Sequence, residues 1–151
     1  MGRIKVYLDN CCYNRPFDDQ SQLRISLETQ AKLFVQSLIS DERIDLVMSY
    51  INNYENNNNP FENRKYLISR FSQKAKYYIV ESNEILLKSY EITKAGIKPT
   101  DALHLASAII SNADFFLTVD DQVLKYKTDE LEIMDPIKFV IQWDKEIKND
   151  D

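Results

Sequence analysis

Glycine is nearly absent from this 151-residue chain: there are two, with four prolines, two cysteines, one histidine and one tryptophan. So little glycine and proline, beside 44% hydrophobic residues, excludes fibrous and low-complexity architectures and describes one packed domain of ordinary size. The cysteines, Cys11 and Cys12, are adjacent, so they cannot staple distant segments, and with a single histidine they cannot complete a four-ligand structural zinc site. No apolar run approaches the roughly 18 residues of a membrane helix, and Met1 to Leu8 is too short and too charged for a secretory signal. The expectation is a cytosolic protein with no membrane contact. Positive charge is also scarce: 24 acidic against 19 Lys and Arg residues give a net charge of −5 and a pI near 5.0. This excludes coating nucleic acid by bulk charge, though not acting on it locally.

What is present is an alternation of short apolar runs with amphipathic segments. Ile4 to Leu8, Ile44 to Met48 and Phe115 to Thr118 read as buried strands. The spacing of Leu23, Leu27, Ala31, Phe34 and Leu38 predicts an amphipathic helix between Asp19 and Ser40, entered through a capping-box-like Asp19 and Gln22. Ser49 opens a short helix to Asn57. The asparagine run 56–59 before Pro60 predicts a break, read as a solvated loop or helix end rather than a base-reading element. There follow a polar helix over 60–75, an apolar run at 77–80, a helix capped by Ser82 and stopped by Gly96, and a helix opened by Pro99. The last carries an apolar face of Ala102, Leu103, Ala106, Ile109 and Ile110. A short helix at 122–126, a weak strand at 131–134 and helical turns over 136–143 complete a domain assigned to residues 1–143, and the charged segment 144–151 is expected to fray. Such alternation means an α/β fold with a mostly parallel sheet, which binds ligands beyond the carboxyl ends of its strands.

That rule directs attention to acids at strand and helix ends. Asp9 follows the first strand, Asp120 and Asp121 follow FFLT, Asp101 lies in the first turn of the Pro99 helix, and Glu55 lies late in the helix after the second strand. Singly, each has an ordinary structural explanation in helix dipoles or loop polarity. Together, with no matching Lys or Arg at neighbouring positions, they would repel one another on one sheet edge unless a cation held them. Mg²⁺ or Mn²⁺ prefers carboxylate and water oxygens and can clamp a phosphodiester, so the acids point to a metal-dependent phosphodiester hydrolase.

Four segments carry a family resemblance: YLDNCCYNRPFDD at 7–19, Ser49 with Glu55 six residues on, GIKPTDALHLASA at 96–108 and FLTVDD at 116–121. In order and spacing, across nearly the whole chain, they resemble a PIN domain. The resemblance implies a three-layer α/β/α sandwich and a Mg²⁺- or Mn²⁺-dependent endoribonuclease hydrolysing RNA with a metal-activated water. Similarity to the VapC-like toxins of toxin–antitoxin pairs further implies a cognate antitoxin and a homodimer. It places Asp9, Glu55, Asp101 and Asp120 as catalytic and metal-binding acids, Asp120 being preferred to Asp121 because it stands two residues beyond Thr118. Asn10 and Thr118 supply further oxygens, as ligands or as braces.

Arg15 and Thr118 are the candidate substrate contacts, with pairing to Asp18 or Asp19 the equal alternative for Arg15. His104 shares a helical face with Asp101 and is read as a half-buried structural residue, since Mg²⁺ favours oxygen ligands. The cysteines are expected to pack behind the site. Tyrosines between 66 and 78, and the face of the 22–38 helix, are candidate partner surfaces. A haloacid-dehalogenase-like phosphatase would need an acid where Cys11 stands, and a response-regulator receiver needs its acidic pair early rather than late. The competing reading from another class is a noncatalytic RNA- or protein-binding module.

Overall fold

Apolar residues run consecutively through the central strands so that both faces of one sheet need covering, and the computed structural model, which describes residues 3–147, shows how this is done. Strands β1 (Lys5–Leu8), β2 (Asp45–Ser49), β3 (Tyr77–Ile79), β4 (Phe115–Leu117) and β5 (Glu132–Met134) form an all-parallel sheet in the order β3-β2-β1-β4-β5. Val6, Leu8, Leu46, Met48, Phe115 and Leu117 point to one core, under helices α2 (Leu23–Ser40), α4 (Glu62–Ser72) and α8 (Pro136–Gln142). Tyr7, Val47 and Phe116 point to the other, under α5 (Asn83–Thr93) and α6 (Pro99–Ile110). The remaining helices, α1 (Asn10–Asn14), α3 (Tyr50–Asn57) and α7 (Asp121–Leu124), are short and leave the carboxyl ends of β1, β2 and β4. The result is the expected α/β/α sandwich. The chain moves outward from β1 to β3, then returns to β1's other side, so the strand order switches at β1. A crevice opens at such a switch.

Local signals set most boundaries as expected. The Ser82 hydroxyl accepts from Ile85 N at 3.2 Å, Pro99 occupies the first turn of α6, and Gly96 takes φ +91°, which lets the chain turn sharply after α5. Three readings change. Asp19 does not cap α2: its carboxylate closes a turn with Ser21, and the helix starts four residues later, at Leu23, behind an uncapped Gln22. Nor is the α2 stripe the one its periodicity suggests. Ala31 and Leu38 are buried, but Leu23, Leu27 and Phe34 are exposed, and Glu28, Thr29 and Lys32 are buried instead. Glu28 goes inward because Arg15 Nε lies 2.9 Å and Arg24 Nε 3.0 Å from its carboxylate, a buried charge with its counter-ions. The first pair is a charge contact without hydrogen-bond alignment. Lys32 lies against the rings of Tyr13 and Phe71 and donates to Gln36 Oε1 at 2.8 Å, while burial draws its pKa down to about 8.

The asparagine-rich segment is the expected helix end, with α3 stopping at Asn57, but it is less solvated than a loop. Regular structure does break at 58–61, yet Asn52 and Asn56 are buried and bonded, Asn56 Nδ2 donating to Lys65 O at 3.0 Å, and Asn59 Nδ2 to Asn14 Oδ1 at 3.0 Å. Beyond α8 the chain continues as a π-helical turn, Trp143–Ile147, and residues 148–151 of the expected frayed segment lie outside the described residues. No described helix is long and apolar enough to cross a membrane.

Candidate metal centre at the sheet's switch point

Each strand entering the crevice delivers an acid. Asp9 leaves β1 as the cap of α1, its Oδ1 accepting from Asn10 N at 2.8 Å. Its Oδ2 accepts from Thr118 Oγ1 at 2.9 Å, and the same hydroxyl oxygen accepts from Asp120 N at 3.1 Å. Thr118 thus ties the ends of β1 and β4 together. It is fully buried, so the expectation that it touches substrate gives way to a role in fixing Asp9. β2 delivers Glu55 through α3, which starts in a capping box between Ser49 and Asn52. Asn52 also spans the crevice floor: its Nδ2 donates to Asn10 Oδ1 at 2.6 Å and to Leu8 O at 3.2 Å. Asp101 arrives in the first turn of α6.

Asp101 records how close these acids are. Burial first, then the charges of Asp9 and Asp120, raise its pKa to about 6, with Glu55 adding a little and His104 opposing. Among the described residues no Lys or Arg forms an ion pair with any of these acids. Oxygens of Asp9 and Glu55 and a ring nitrogen of His104 all lie within 4.8 Å of one another. A set of crowded, uncompensated carboxylates is what a hard divalent cation requires, and the donor set therefore fits Mg²⁺ or Mn²⁺.

Asp121 has a different setting. Both its oxygens bond Arg24, at 2.8 and 3.1 Å, and this cation holds its carboxyl below the usual range. Arg15 is likewise engaged, with Asp18 at 3.1 Å and with Glu28, which favours the ion-pair reading over a free phosphate contact. The cysteines lie behind the site as expected: Cys11 Sγ is 3.3 Å from Thr118 Oγ1, and Cys12 Sγ bonds Leu117 O at 3.3 Å.

His104 is the residue the sequence undervalued. Far from half-buried, it has no exposed surface, and Nε2 bonds Glu55 Oε1 while Nδ1 meets the Tyr7 hydroxyl at 2.6 Å. Tyr7 in turn meets Ser49 Oγ at 2.6 Å, and that oxygen accepts from Asn52 N. Burial lifts the Tyr7 pKa far above 10, so it remains an O–H donor. A one-way chain satisfies every group: Ser49 donates to Tyr7, Tyr7 to Nδ1, and the Nε2–H to the Glu55 carboxylate. The available signal was the spacing of His104 three residues beyond Asp101, which puts both on one helical face.

No family model and no curated protein matches the chain. Solved structures share its fold. FitAcB from Neisseria gonorrhoeae superposes with a TM-score of 0.58 at 14% identity, covering 87% of this chain and 97% of its own. VapBC-1 from nontypeable Haemophilus influenzae gives 0.57 at 17%, covering 88% and 98%. VapBC2 from Rickettsia felis, bound to a DNA fragment from its promoter, gives 0.58 at 14%, covering 86% and 97%. The fold is the PIN-like α/β/α sandwich, shared with these FitAcB and VapBC structures.

Proposed function

We propose that this chain is a Mg²⁺- or Mn²⁺-dependent endoribonuclease of the VapC type, acting with a cognate antitoxin. The observation that carries the reading is the convergence of Asp9 and Glu55 oxygens with a His104 nitrogen within 4.8 Å, beside Asp101 and with no Lys or Arg ion pair among the described residues: a divalent cation would neutralise such a cluster. Asp9, Asp101 and Asp120 are assigned as the principal ligands, with Glu55 completing the centre or orienting water. A divalent ion held there supplies Lewis acidity and lowers the pKa of water, so no side-chain nucleophile is needed.

The chain's own contribution is positioning. Thr118 and Asn10 N fix both oxygens of Asp9, and His104, whose Nε2 bonds one oxygen of Glu55 and lies 3.8 Å from Asp9 Oδ1, holds the two acids in place. Asp120 is chosen over Asp121 because Arg24 commits the latter elsewhere. The antitoxin assignment draws on the VapBC likeness and on exposed Leu23, Leu27, Leu33 and Phe34 along α2, and a homodimer would use exposed Tyr66 and Tyr78.

Cleavage of single-stranded RNA in lanes with Mg²⁺, Mn²⁺ or EDTA tests the reading: cutting is expected with either metal and none with EDTA. Cutting that persists in EDTA, or no cutting under any condition, would favour a metal-independent activity or the binding-module alternative.

A further inference from the structure

Beside the acid cluster, and sharing Glu55 and Asn10 with it, lies a cleft of about 380 Å³ lined by Asn14, Asn58, Asn59, Phe61 and Arg64. Its volume falls within the range of small-ligand sites, roughly 300–1,000 Å³. Resting on the nuclease reading, we propose that this cleft is a nucleobase subsite, where a base of single-stranded RNA next to the scissile phosphate stacks on Phe61 while the asparagines read its edge.

The lining matches that ligand. Carboxamides present neutral donors and acceptors together, the pattern that base edges offer in return, whereas a phosphate would call for free cations and an apolar peptide side chain for an apolar wall. The amides are set in place by the protein. Asn14 Nδ2 donates to Asn10 O at 3.0 Å, Asn59 Oδ1 accepts from Phe61 N at 3.1 Å, and Asn58 Nδ2 donates to Tyr54 O at 3.1 Å. Each bond uses part of an amide's capacity of two N–H groups and one two-lone-pair oxygen, so the remainder can face a ligand in a fixed orientation.

The aromatic platform is equally prepared. Phe61 is 54% exposed, and the Arg64 guanidinium sits 4.4 Å from its ring centroid. Arg64 is itself held, donating to Phe17 O at 2.8 Å and lying 5.6 Å from the Phe17 ring. A half-exposed ring beside a held guanidinium offers an unpaired base both an aromatic and a planar cationic surface to stack on. The asparagine tract therefore gains what its sequence did not promise, a rigid frame.

The test uses short single-stranded RNAs carrying 2-aminopurine at successive positions, titrated with the full chain in Ca²⁺ and followed by fluorescence. Wild type is expected to quench one position. Phe61→Ala should abolish that quenching and weaken binding by about 5- to 150-fold, the range for one lost base–aromatic stack, and Phe61→Tyr should retain both. In Mn²⁺, sequencing the ends cut from a random RNA pool should show a base preference beside the cut that Asn58→Ala alters. Absence of quenching at every position, or a base preference indifferent to both Phe61→Ala and Asn58→Ala, overturns the proposal. It also falls if these variants weaken only inhibition by an antitoxin, for the cleft is then a protein contact. A wild-type chain that quenches but cuts nothing overturns the nuclease reading and leaves the nucleobase cleft standing.

Discussion

Two groups of acids lie along one side of this molecule and have opposite electrostatics. Asp18, Glu28 and Asp121 each meet an arginine: Arg15 and Arg64 at Asp18, Arg15 and Arg24 at Glu28, Arg24 at Asp121. Among the described residues Asp9, Glu55, Asp101 and Asp120 meet no arginine or lysine in an ion pair: Asp9 bonds Thr118 and the Asn10 amide, Glu55 bonds His104, Asp120 caps α7, and the charges of Asp9 and Asp120 raise the pKa of Asp101. The first group is balanced by the fold, so its charges anchor α2 and the loop before it. The second is left unbalanced, and an unbalanced buried cluster costs stability unless something outside the chain completes it. Acids count as candidates for function by lacking partners, not by being acidic.

Substitutions should separate the groups by sign. The largest effect is expected from Asp9→Asn, which removes a central carboxylate: metal-dependent RNA cleavage should fall by about 10³-fold or more, some 4 kcal/mol in barrier, with thermal unfolding unchanged or higher. Glu28→Gln should do the reverse, lowering stability by about 2–3 kcal/mol in urea unfolding because Arg15 is left partly buried without its partner, while Mn²⁺ binding is retained. A Glu28→Gln chain as stable as wild type would break the comparison. His104→Gln should reduce Mn²⁺ affinity by about 10- to 100-fold in calorimetric titration, the usual range for a residue bracing a ligand, and Tyr7→Phe should follow it in direction.

The smallest effect carries a pH sign. Asp101 titrates near 6 in the fold against about 3.9 in an unfolded chain, so between these values the folded state binds the extra proton. Stability of the metal-free chain should therefore fall as pH rises through that window, and Asp101→Asn should flatten the slope. Because the group is half-buried, screening reduces the stability lost by pH 7 to about 1 kcal/mol. A melting temperature that climbs from pH 4 to pH 6 in metal-free wild type would contradict this.

How much of this was legible depended on what each segment packs against. α6 lies against the sheet on Ala102, Leu105 and Ala106: the two alanines of the expected face are buried, while Leu103, Ile109 and Ile110 are only partly covered and Leu105 takes their place. α2 packs partly through ion pairs, and buried charge leaves no hydrophobic period to find. The acids were legible because strand and helix ends mark them: Asp9 and Glu55 come together with His104 within 4.8 Å, and the charges of Asp9 and Asp120 act on Asp101. His104 was not, since its role depends on Tyr7 and Glu55, 97 and 49 residues away in sequence. The asparagines misled for a related reason: a residue type that favours turns can also cap helices and tie segments together, as Asn52 does in the α3 capping box and Asn59 does by donating to Asn14.

The insertion of β4 beside β1, late in the chain and back across the sheet, has a consequence in time. Thr118 cannot brace Asp9 until β4 has paired, so a nascent chain ending anywhere before Asp120 holds at most a partial cluster. On the nuclease reading proposed above, a chain built this way would be inert throughout most of its own synthesis. The RNA nearest to it then is its own message, still threaded through the ribosome, and assembling the centre last would protect that message until the sheet closes.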